Sequence, residues 1–422
     1  MQITVDLSRL LSELETLASF SDASAPAVTR VVFSAQDLAA RTYLRKLFSE
    51  AALEVRTDAV GNTFARWTGT DPSLAPVATG SHTDAVPYAG RYDGTVGVLG
   101  GLEAIRALQR GGFHPRRSIE LLVFTSEEPT RFGIGCLGSR MLSGTLSPES
   151  ARLLKDGEGK SLEQILRQAA LHGSVEVGSV KDGSLENVRL AKDYYHAFVE
   201  LHIEQGPLLE RKGIPVGIVT AIAAPAALRV MIEGAGGHAG AVLMPDRRDA
   251  FLAAAEIALA VESAARGTRS ADSVATTGVC NVFPGAVNSI PSRAVLEIDV
   301  RDIDLARRDG MLSAIRAACE TVAAKRHVRV EVELINADAP AQASPLITEA
   351  LSASCRALGI EFMPMVSRAY HDSLFMSRIA PTGMLFIPCR NGVSHRPDEY
   401  AAPEDLKRGV QVLTSALAQL AQ

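Results

Sequence analysis

Four short segments of this chain carry side chains suited to hydrolytic chemistry. The first, GSHTDAVPYAGRYDG, places His82, Asp84 and Asp93 close together among glycines. Glu127 and Glu128 follow the apolar run LLVF, and His202 and Glu204 follow AFVEL. His395 closes the segment MLFIPCRNGVSH. Together these segments supply imidazoles and carboxylates, a mixed N/O donor set that suits Zn²⁺, Mn²⁺ or Co²⁺ better than Ca²⁺ or Mg²⁺. If one carboxylate bridges, the set covers two ions, the arrangement of a two-metal hydrolytic site with a shared water.

Each residue taken singly has a plainer reading. A lone His near a strand end is commonly a hydrogen-bonded structural residue, and a Glu-Glu pair is commonly solvated surface. A short H-x-D arises readily by chance. Their joint placement argues otherwise. Each segment follows an apolar run of strand length, and in open α/β sheets ligands bind outside the carboxyl ends of the strands. Asp93 sits on the loop entering the next helix, where it can lean over the same crevice. The glycines let that loop pass close over the site.

The elements that must position these residues are legible from periodicity. PVATGSH (76–82) reads as a buried strand, GTVGVLGGLEAIRALQRGG (94–112) as a helix with a Gly-Gly stop, and RSIELLVFTSEEP (117–129) as a strand ending in the two glutamates. Helical spacing also marks 5–20 and 36–53. AFVELHIEQGP (197–207) is a further strand, and 143–193 is expected to be a helical excursion. From about 214 the texture changes to two β-like runs with Gly-rich turns, then helix 249–265, strand 294–304 and helix 306–326. That β-β-α-β-α block could fold alone as a small sheet with two helices on one face. The first pattern resumes with helix 345–358, strand 384–389 and helix 403–421. The expected fold is α/β: a mixed-sheet, metallopeptidase-like catalytic domain (1–213 and 331–422) interrupted by a smaller α+β lid or dimerisation domain (214–330).

Composition narrows the function classes. The chain has 422 residues and a net charge of −5, enough for two compact domains and without the basic excess of a nucleic-acid binder. It has no apolar run long enough to span a membrane. The five cysteines are dispersed and form no C-x-x-C pair, which reads as free thiols in a reducing compartment. The first residues, MQITVDLSRLLSELETLASF, show no signal-peptide pattern, so a cytoplasmic location is expected.

GSHTDAVPYAGRYDG, FTSEEPTRFG, ELHIEQGP, GGHAGA, VNSIPSRAVLEIDVRD and SRAYHDSLF…IPCRNGVSH resemble the dinuclear-metal amidohydrolases of the M20 peptidase clan, in the family's order, from about residue 26 to the end. The branch they resemble contains N-carbamoyl-L-amino-acid hydrolases, allantoate amidohydrolases and ureidoglycolate amidohydrolases, and AVPYAGRYDGTVGVLG, FTSEEPTRFGI and SRAYHDSLFM are most similar to the last. Peptidases of the wider clan usually have a carboxylate where this sequence has His202, which points to the amidohydrolase branch.

The resemblance implies roles. His82, Asp93 and His202 would hold one metal ion, and Asp93, Glu128 and His395 the other, with Asp93 bridging. Glu127 would be the general base. Asp84, two residues past His82 on the same side of an extended chain, is placed to accept the other imidazole N–H. In the inserted block, His238 of GAGGHAGA would donate to the developing oxyanion, and in dimers of this clan such a His often comes from the partner subunit. Asn288 and Arg301 would hold a substrate carboxylate, Gln205 would contact the ureido group, and Tyr370 and His371 would lie in a loop closing the pocket. For Arg301 the plainer reading is a surface salt bridge with Asp299 or Asp302, and for His238 a turn residue among glycines.

The expected activity is hydrolysis of a linear ureido C–N bond, with (S)-ureidoglycolate giving glyoxylate, ammonia and carbon dioxide. N-carbamoyl-L-amino acids or allantoate are the nearest alternative substrates, and a metallopeptidase is a more distant one. A non-enzymatic binding protein on this fold would be favoured by a missing ligand or a missing Glu127, and all are present. The implied cofactors are two divalent ions, Mn²⁺ or Zn²⁺, with Co²⁺ or Ni²⁺ also accepted by these ligands. The implied partners are a small ureido or carbamoyl carboxylate and a second copy of the chain, with neither nucleic acid nor membrane.

Overall fold

The computed structural model describes residues 4–171 and 184–422. Part of the 143–193 excursion therefore lies outside the described residues. The rest holds the helices Pro148–Leu153 and Leu162–Leu171 and the short 3₁₀ turn Leu185–Asn187. The chain divides into two compact units. One comprises Met1–Thr220, Ala343–Ser367 and His371–Gln422, the other Ala221–Gln342 with Arg368–Tyr370. The boundaries expected after 213 and before 331 thus move to 220 and 342. Strand pairing is the reason on the second side: Arg329–Ala337 is hydrogen-bonded along Ala224–Glu233 and belongs to the second unit's sheet.

The first unit is built on a mixed sheet, as expected. Its strands lie in the order Val216–Ile222, Thr382–Ile387, Ala197–Ile203, Val77–His82, Ile119–Phe124, Thr63–Trp67, Glu54–Thr57. Thr382–Ile387, Ala197–Ile203, Val77–His82 and Ile119–Phe124 run parallel, and the flanking pairs are antiparallel. The four parallel strands are buried along their whole length. That is why apolar and small residues dominate them on both faces, with no polar-out alternation.

Successive residues of these strands feed two cores. Val77, Leu121, Val199 and Leu201 face the helices Thr95–Arg110 and Pro403–Leu420, meeting Leu99, Leu102, Leu413 and Leu417. Ala78, Leu122, Phe124 and Phe198 face the other way, onto Leu137, Leu142 and Met376. Each fully buried Leu or Phe contributes about 1.5–3 kcal/mol. Two acids inside the sheet are fully satisfied. Glu120 accepts from Arg66 Nε at 3.0 Å and from the Tyr195 hydroxyl. Glu200 accepts from Ser81 Oγ at 2.7 Å and Ser373 Oγ at 2.6 Å.

The second unit is a four-stranded antiparallel sheet in the order Val274–Phe283, Arg293–Asp302, Ala224–Glu233, Arg329–Ala337. The first and last of these were not anticipated. Both are edge strands whose residues alternate between exposed and half-buried with none fully buried. Leu228, Val230, Ile232, Leu296 and Ile298 pack against Ala253, Ile257, Met311 and Ile315 of the helices Ala250–Gly267 and Leu305–Arg326, so both helices cover one face. Asp249 and Asp304 cap those helices by accepting their first backbone N–H groups. Among the described residues no helix is long and apolar enough to cross a membrane.

Candidate metal centre

Parallel pairing brings the chemistry to one edge. His82 ends the Val77–His82 strand and stands opposite Phe124 on the Ile119–Phe124 strand. On the other side Val77, Ala78 and Thr79 pair with Ala197, Phe198 and Val199. The same register carried on brings His82 level with His202, and the two imidazole centroids lie 6.2 Å apart. Glu127 and Glu128 do not end the strand itself. They sit on the turn beyond Phe124, and His395 lies on the loop beyond Ile387.

Asp93 occupies the centre. Its Oδ1 is 3.1 Å from His202 Nε2 and 3.5 Å from His82 Nε2. Its Oδ2 is 3.2 Å from His395 Nε2, which is also 3.2 Å from Glu128 Oε1. Each oxygen of one carboxylate therefore faces a different set, and both His82–Asp93–His202 and Asp93–Glu128–His395 have ligand atoms spaced to hold an ion. The hydrogen-bond network assigns the tautomers: Nδ1–H of His202 donates to the Ile203 carbonyl at 2.8 Å, and Nδ1–H of His82 to the Asp84 carbonyl at 3.0 Å. His202 Nε2 accepts from Gly94 N–H at 3.2 Å, and it and His82 Nε2 carry the lone pairs that a metal would take. Gly94 lets the loop lie this close, since a Cβ there, at φ +64°, would stand 2.5 Å from the His82 ring.

Asp84 departs from its expected contact. Its carboxylate Oδ1 is 3.6 Å from His82 Nδ1, too far to be the main acceptor. It accepts instead from the backbone N–H groups of Glu127 at 3.2 Å and Glu128 at 3.0 Å. Asp84 thus braces His82 through its main chain and the glutamate pair through its side chain. Glu204, noted beside His202, caps the helix Leu208–Lys212 by accepting from Leu208 and Leu209.

The donor set fits divalent cations. Asp84, Asp93, Glu127 and Glu128 are all buried; the basic groups beside Asp93 and Glu128 are imidazoles, and the buried Arg30 guanidinium, which donates to the Thr83 carbonyl at 2.6 Å, acts on Asp84. Burial most strongly opposes charge on His82, but Glu127, Asp84 and Asp93 together outweigh it and lift its pKa well above the usual range. His395, hydrogen-bonded to Asp93 and Glu128, is lifted to about 11. Burial and the neighbouring carboxylates push Glu127 well above the ordinary carboxyl range. Asp93 is held well below that range: burial works against this, and bonds to His202, His395 and His82 outweigh it. A cavity that accumulates protons to balance its carboxylates is one that metal cations would balance in their place.

Two more expected residues border this centre. Gln205, with φ +57°, donates through Nε2 to Asp93 Oδ2 at 2.7 Å. Its Oε1 is buried without a hydrogen-bond partner among the described residues. His371 packs edge-on against His202 at 4.6 Å and lies 2.9 Å from Ser367 Oγ. Burial, then the positive neighbour His202, push its pKa well below the usual imidazole value.

The second unit holds the others. His238 and Asn288 are neighbours across a two-residue ladder: His238 pairs with Ser289, and Ala239 N–H donates to the Asn288 carbonyl at 2.9 Å. His238 is exposed, and its Nδ1 accepts from Gly240 N–H at 3.1 Å. Arg301 forms the ion pair weighed as its plainer reading, with Asp299 at 2.7 and 3.2 Å, and also donates to the Arg368 carbonyl at 2.9 Å. The Tyr370 hydroxyl donates to Asp338 Oδ2 at 2.6 Å.

Sequence reasoning missed Glu399, a buried carboxylate that accepts the backbone N–H groups of Tyr92 and Asp93. It lies in HRPDEY, whose composition reads as solvated loop, and its only signal is its closeness to His395.

Known proteins share this arrangement of sequence and fold. The chain is 52% identical to a ureidoglycolate hydrolase of Arabidopsis thaliana over 99% of its own length and 87% of that protein's. It is 38% identical to an N-carbamoyl-L-amino acid amidohydrolase of Geobacillus stearothermophilus, over 98% of each. The crystal structure of AtUAH in complex with glyoxylate superposes with a TM-score of 0.87 at 51% identity, covering 99% of this chain and 98% of the other. Residues 78–419 match the model for peptidase family M20/M25/M40. That match spans most of the chain and takes in every residue of both triads, so the chain belongs to peptidase family M20/M25/M40.

Proposed function

We propose that this chain is a metal-dependent amidohydrolase that cleaves the linear ureido group of (S)-ureidoglycolate. Oε1 of Gln205, buried and without a hydrogen-bond partner among the described residues, carries the ureido reading. Leaving such an acceptor unmatched costs about 1–3 kcal/mol, and the N–H groups of a ureido would match it. The choice of ureidoglycolate rests on the likeness to the plant ureidoglycolate hydrolase, and N-carbamoyl-L-amino acids are the alternative. With water added, ureidoglycolate yields glyoxylate, carbon dioxide and two ammonia molecules, so atoms balance.

The residues divide the work. His82, Asp93 and His202 would hold one divalent ion and Asp93, Glu128 and His395 the second, Mn²⁺ or Zn²⁺ with Co²⁺ or Ni²⁺ as alternatives. Bound there, such ions would polarise the ureido carbonyl and make water a stronger acid. Glu127 accepts the proton of the attacking water and returns it to the leaving nitrogen. Asp84 keeps both glutamates in place through their backbone N–H groups. His371, buried and neutral, offers a hydrogen bond beside His202, and Tyr370 belongs to the same substrate-binding segment. His238 donates to the oxyanion, and Asn288 and Arg301 receive the substrate carboxylate, Arg301 by exchanging Asp299 for it. We further infer a homodimer formed through the second unit, which exposes Phe251, Leu259 and Phe283.

A substrate panel tests this reading. Ureidoglycolate, allantoate, several N-carbamoyl-L-amino acids and a dipeptide would each be offered with Mn²⁺ and with Zn²⁺, and ammonia release followed. The highest kcat/KM is expected on ureidoglycolate, with activity lost on chelation and restored by metal. A preference for N-carbamoyl-L-amino acids would move the assignment to the carbamoylases, and full activity in thoroughly metal-free protein would remove the mechanism.

A further inference from the structure

We propose that Glu399, acting with Ser394, is a positioning residue that clasps the loop of Asp93 to the loop of His395 and thereby sets metal affinity at the Asp93–Glu128–His395 triad. The proposal rests on the metal reading given above. Its basis is a closed set of contacts within the first unit.

Glu399 is 4% exposed. Its Oε1 accepts the backbone N–H of Tyr92 at 2.8 Å and of Asp93 at 3.1 Å. Its Oε2 accepts from Ser394 Oγ at 3.0 Å, and the same Oγ lies 2.7 Å from Asp93 Oδ2. A hydroxyl has one proton, so Ser394 shares it between the two carboxylates. Glu399 therefore grips the main chain of Asp93 directly and its side chain through Ser394. The fit is close: a Cβ on Gly90 would stand 2.3 Å from the Glu399 side chain. A bulkier residue at 90 would push the two loops apart.

His395 needs such an anchor. Its side chain is 46% exposed, and its backbone adopts φ +57°, which non-glycine residues seldom hold unaided. The segment is closed behind it by Arg390 N–H donating to the Tyr400 carbonyl at 2.8 Å. On the side facing Asp93, the Ser394–Glu399 contact holds it. His395 and Asp93 are far apart in sequence, so the distance between Nε2 and Oδ2 depends on what ties these loops together. Partners that orient metal ligands commonly matter by about 10–100-fold in affinity.

The conservative variant separates positioning from mere packing. In Glu399→Gln, Oε1 still takes both N–H groups, and Nε2 donates to Ser394 Oγ, whose proton then goes wholly to Asp93. Glu399→Ala loses all of this.

Metal-free full-length protein would be titrated calorimetrically with Mn²⁺ alone and with Zn²⁺ alone, with bound metal counted after dialysis. Wild type should bind two ions per chain. Glu399→Ala should lose about 10–100-fold in affinity for one or both ions, and Glu399→Gln should stay close to wild type. Thermal unfolding of the metal-free proteins supplies the control, since a purely structural role would lower stability and leave affinity alone. Wild-type affinity in Glu399→Ala would overturn the proposal, as would a Gln variant as impaired as the Ala one. If Glu399→Ala fails to fold, Ser394→Ala carries the test: weakened binding is expected, and unchanged binding would overturn the clasp. Wild type that binds no ion at all would overturn the metal reading itself, a distinct result.

Discussion

At the scale of single residues, Glu127 and Glu128 are adjacent in the chain and opposite in duty. Glu128 Oε1 faces His395 Nε2 at 3.2 Å, inside a ligand triad. Glu127 is in neither the His82–Asp93–His202 nor the Asp93–Glu128–His395 triad and accepts from the buried thiol of Cys136 at 3.4 Å. Asp84 holds both by their backbone N–H groups, so neither can swing without the other. Glu127→Gln keeps the shape and removes the basic oxygen. It should retain metal and substrate affinity and lose roughly 10²–10⁴-fold in kcat. Glu128→Gln should instead lose bound metal, counted by elemental analysis after dialysis. Reversed phenotypes would mean that the two roles are exchanged.

At the scale of elements, the turn between Thr57 and Thr63 steadies the backbone that leads from the Ile119–Phe124 strand into the glutamate turn. Asp58 accepts from Val60 N–H at 3.1 Å, Asn62 N–H at 2.9 Å and Asn62 Nδ2 at 2.8 Å. Asn62 Oδ1 accepts Thr125 N–H at 2.9 Å, two residues before Glu127. Burial outweighs these bonds on Asp58 and pushes its carboxyl from 3.8 up to about 6. The folded state then binds the proton more tightly than the unfolded state. This group's contribution to stability is complete below about pH 4 and is lost as pH rises through about 6, a change on the order of 3 kcal/mol. Asp58→Asn cannot titrate. Denaturant unfolding of the metal-free protein should show wild type losing stability relative to Asp58→Asn between pH 4 and pH 7. A difference that stays constant across that range would mean the carboxyl is not perturbed.

At the scale of the whole molecule, the second unit presents surface that a solitary chain has little reason to expose. Phe283 is 55% exposed and ends the edge strand Val274–Phe283, while Leu259 is 65% exposed on the helix Ala250–Gly267. An unpaired edge strand beside exposed apolar side chains is a template for a second copy. Sedimentation at assay concentration should give a dimer. If His238 serves the partner subunit, mixing inactive Glu127→Gln chains with inactive His238→Ala chains should restore part of the activity. No recovery after verified subunit exchange would place His238 in its own subunit's chemistry, and a monomer would end the shared-site idea.

Local pattern alone determined much of this protein. The buried parallel strands announce themselves because burial on both faces favours apolar and small residues on both sides, as in VATGSH and AFVELHI. The carboxyl-end rule then singled out His82, His202 and the glutamate pair, and the family resemblance implied the ligand sets. The edge strand Val274–Phe283 was not legible, because VATTGVCNVF mixes small, polar and apolar residues without a regular period, and Arg329–Ala337 was overlooked although its RVEVEL alternates. That also misplaced the boundary near 331.

Only the tertiary structure decided the contacts made across long sequence separations. That the two oxygens of Asp93 face different histidines depends on loops hundreds of residues apart meeting at one point. Asp84 was expected to serve His82 with its carboxylate. A one-dimensional spacing could not show that the Glu127 and Glu128 N–H groups would arrive there instead, from across the sheet. Glu399 went unseen for the same reason: its segment looks like solvated loop until the Asp93 loop closes over it and buries it. Residue type and local period set what a segment can do, and long-range packing sets which partner it meets.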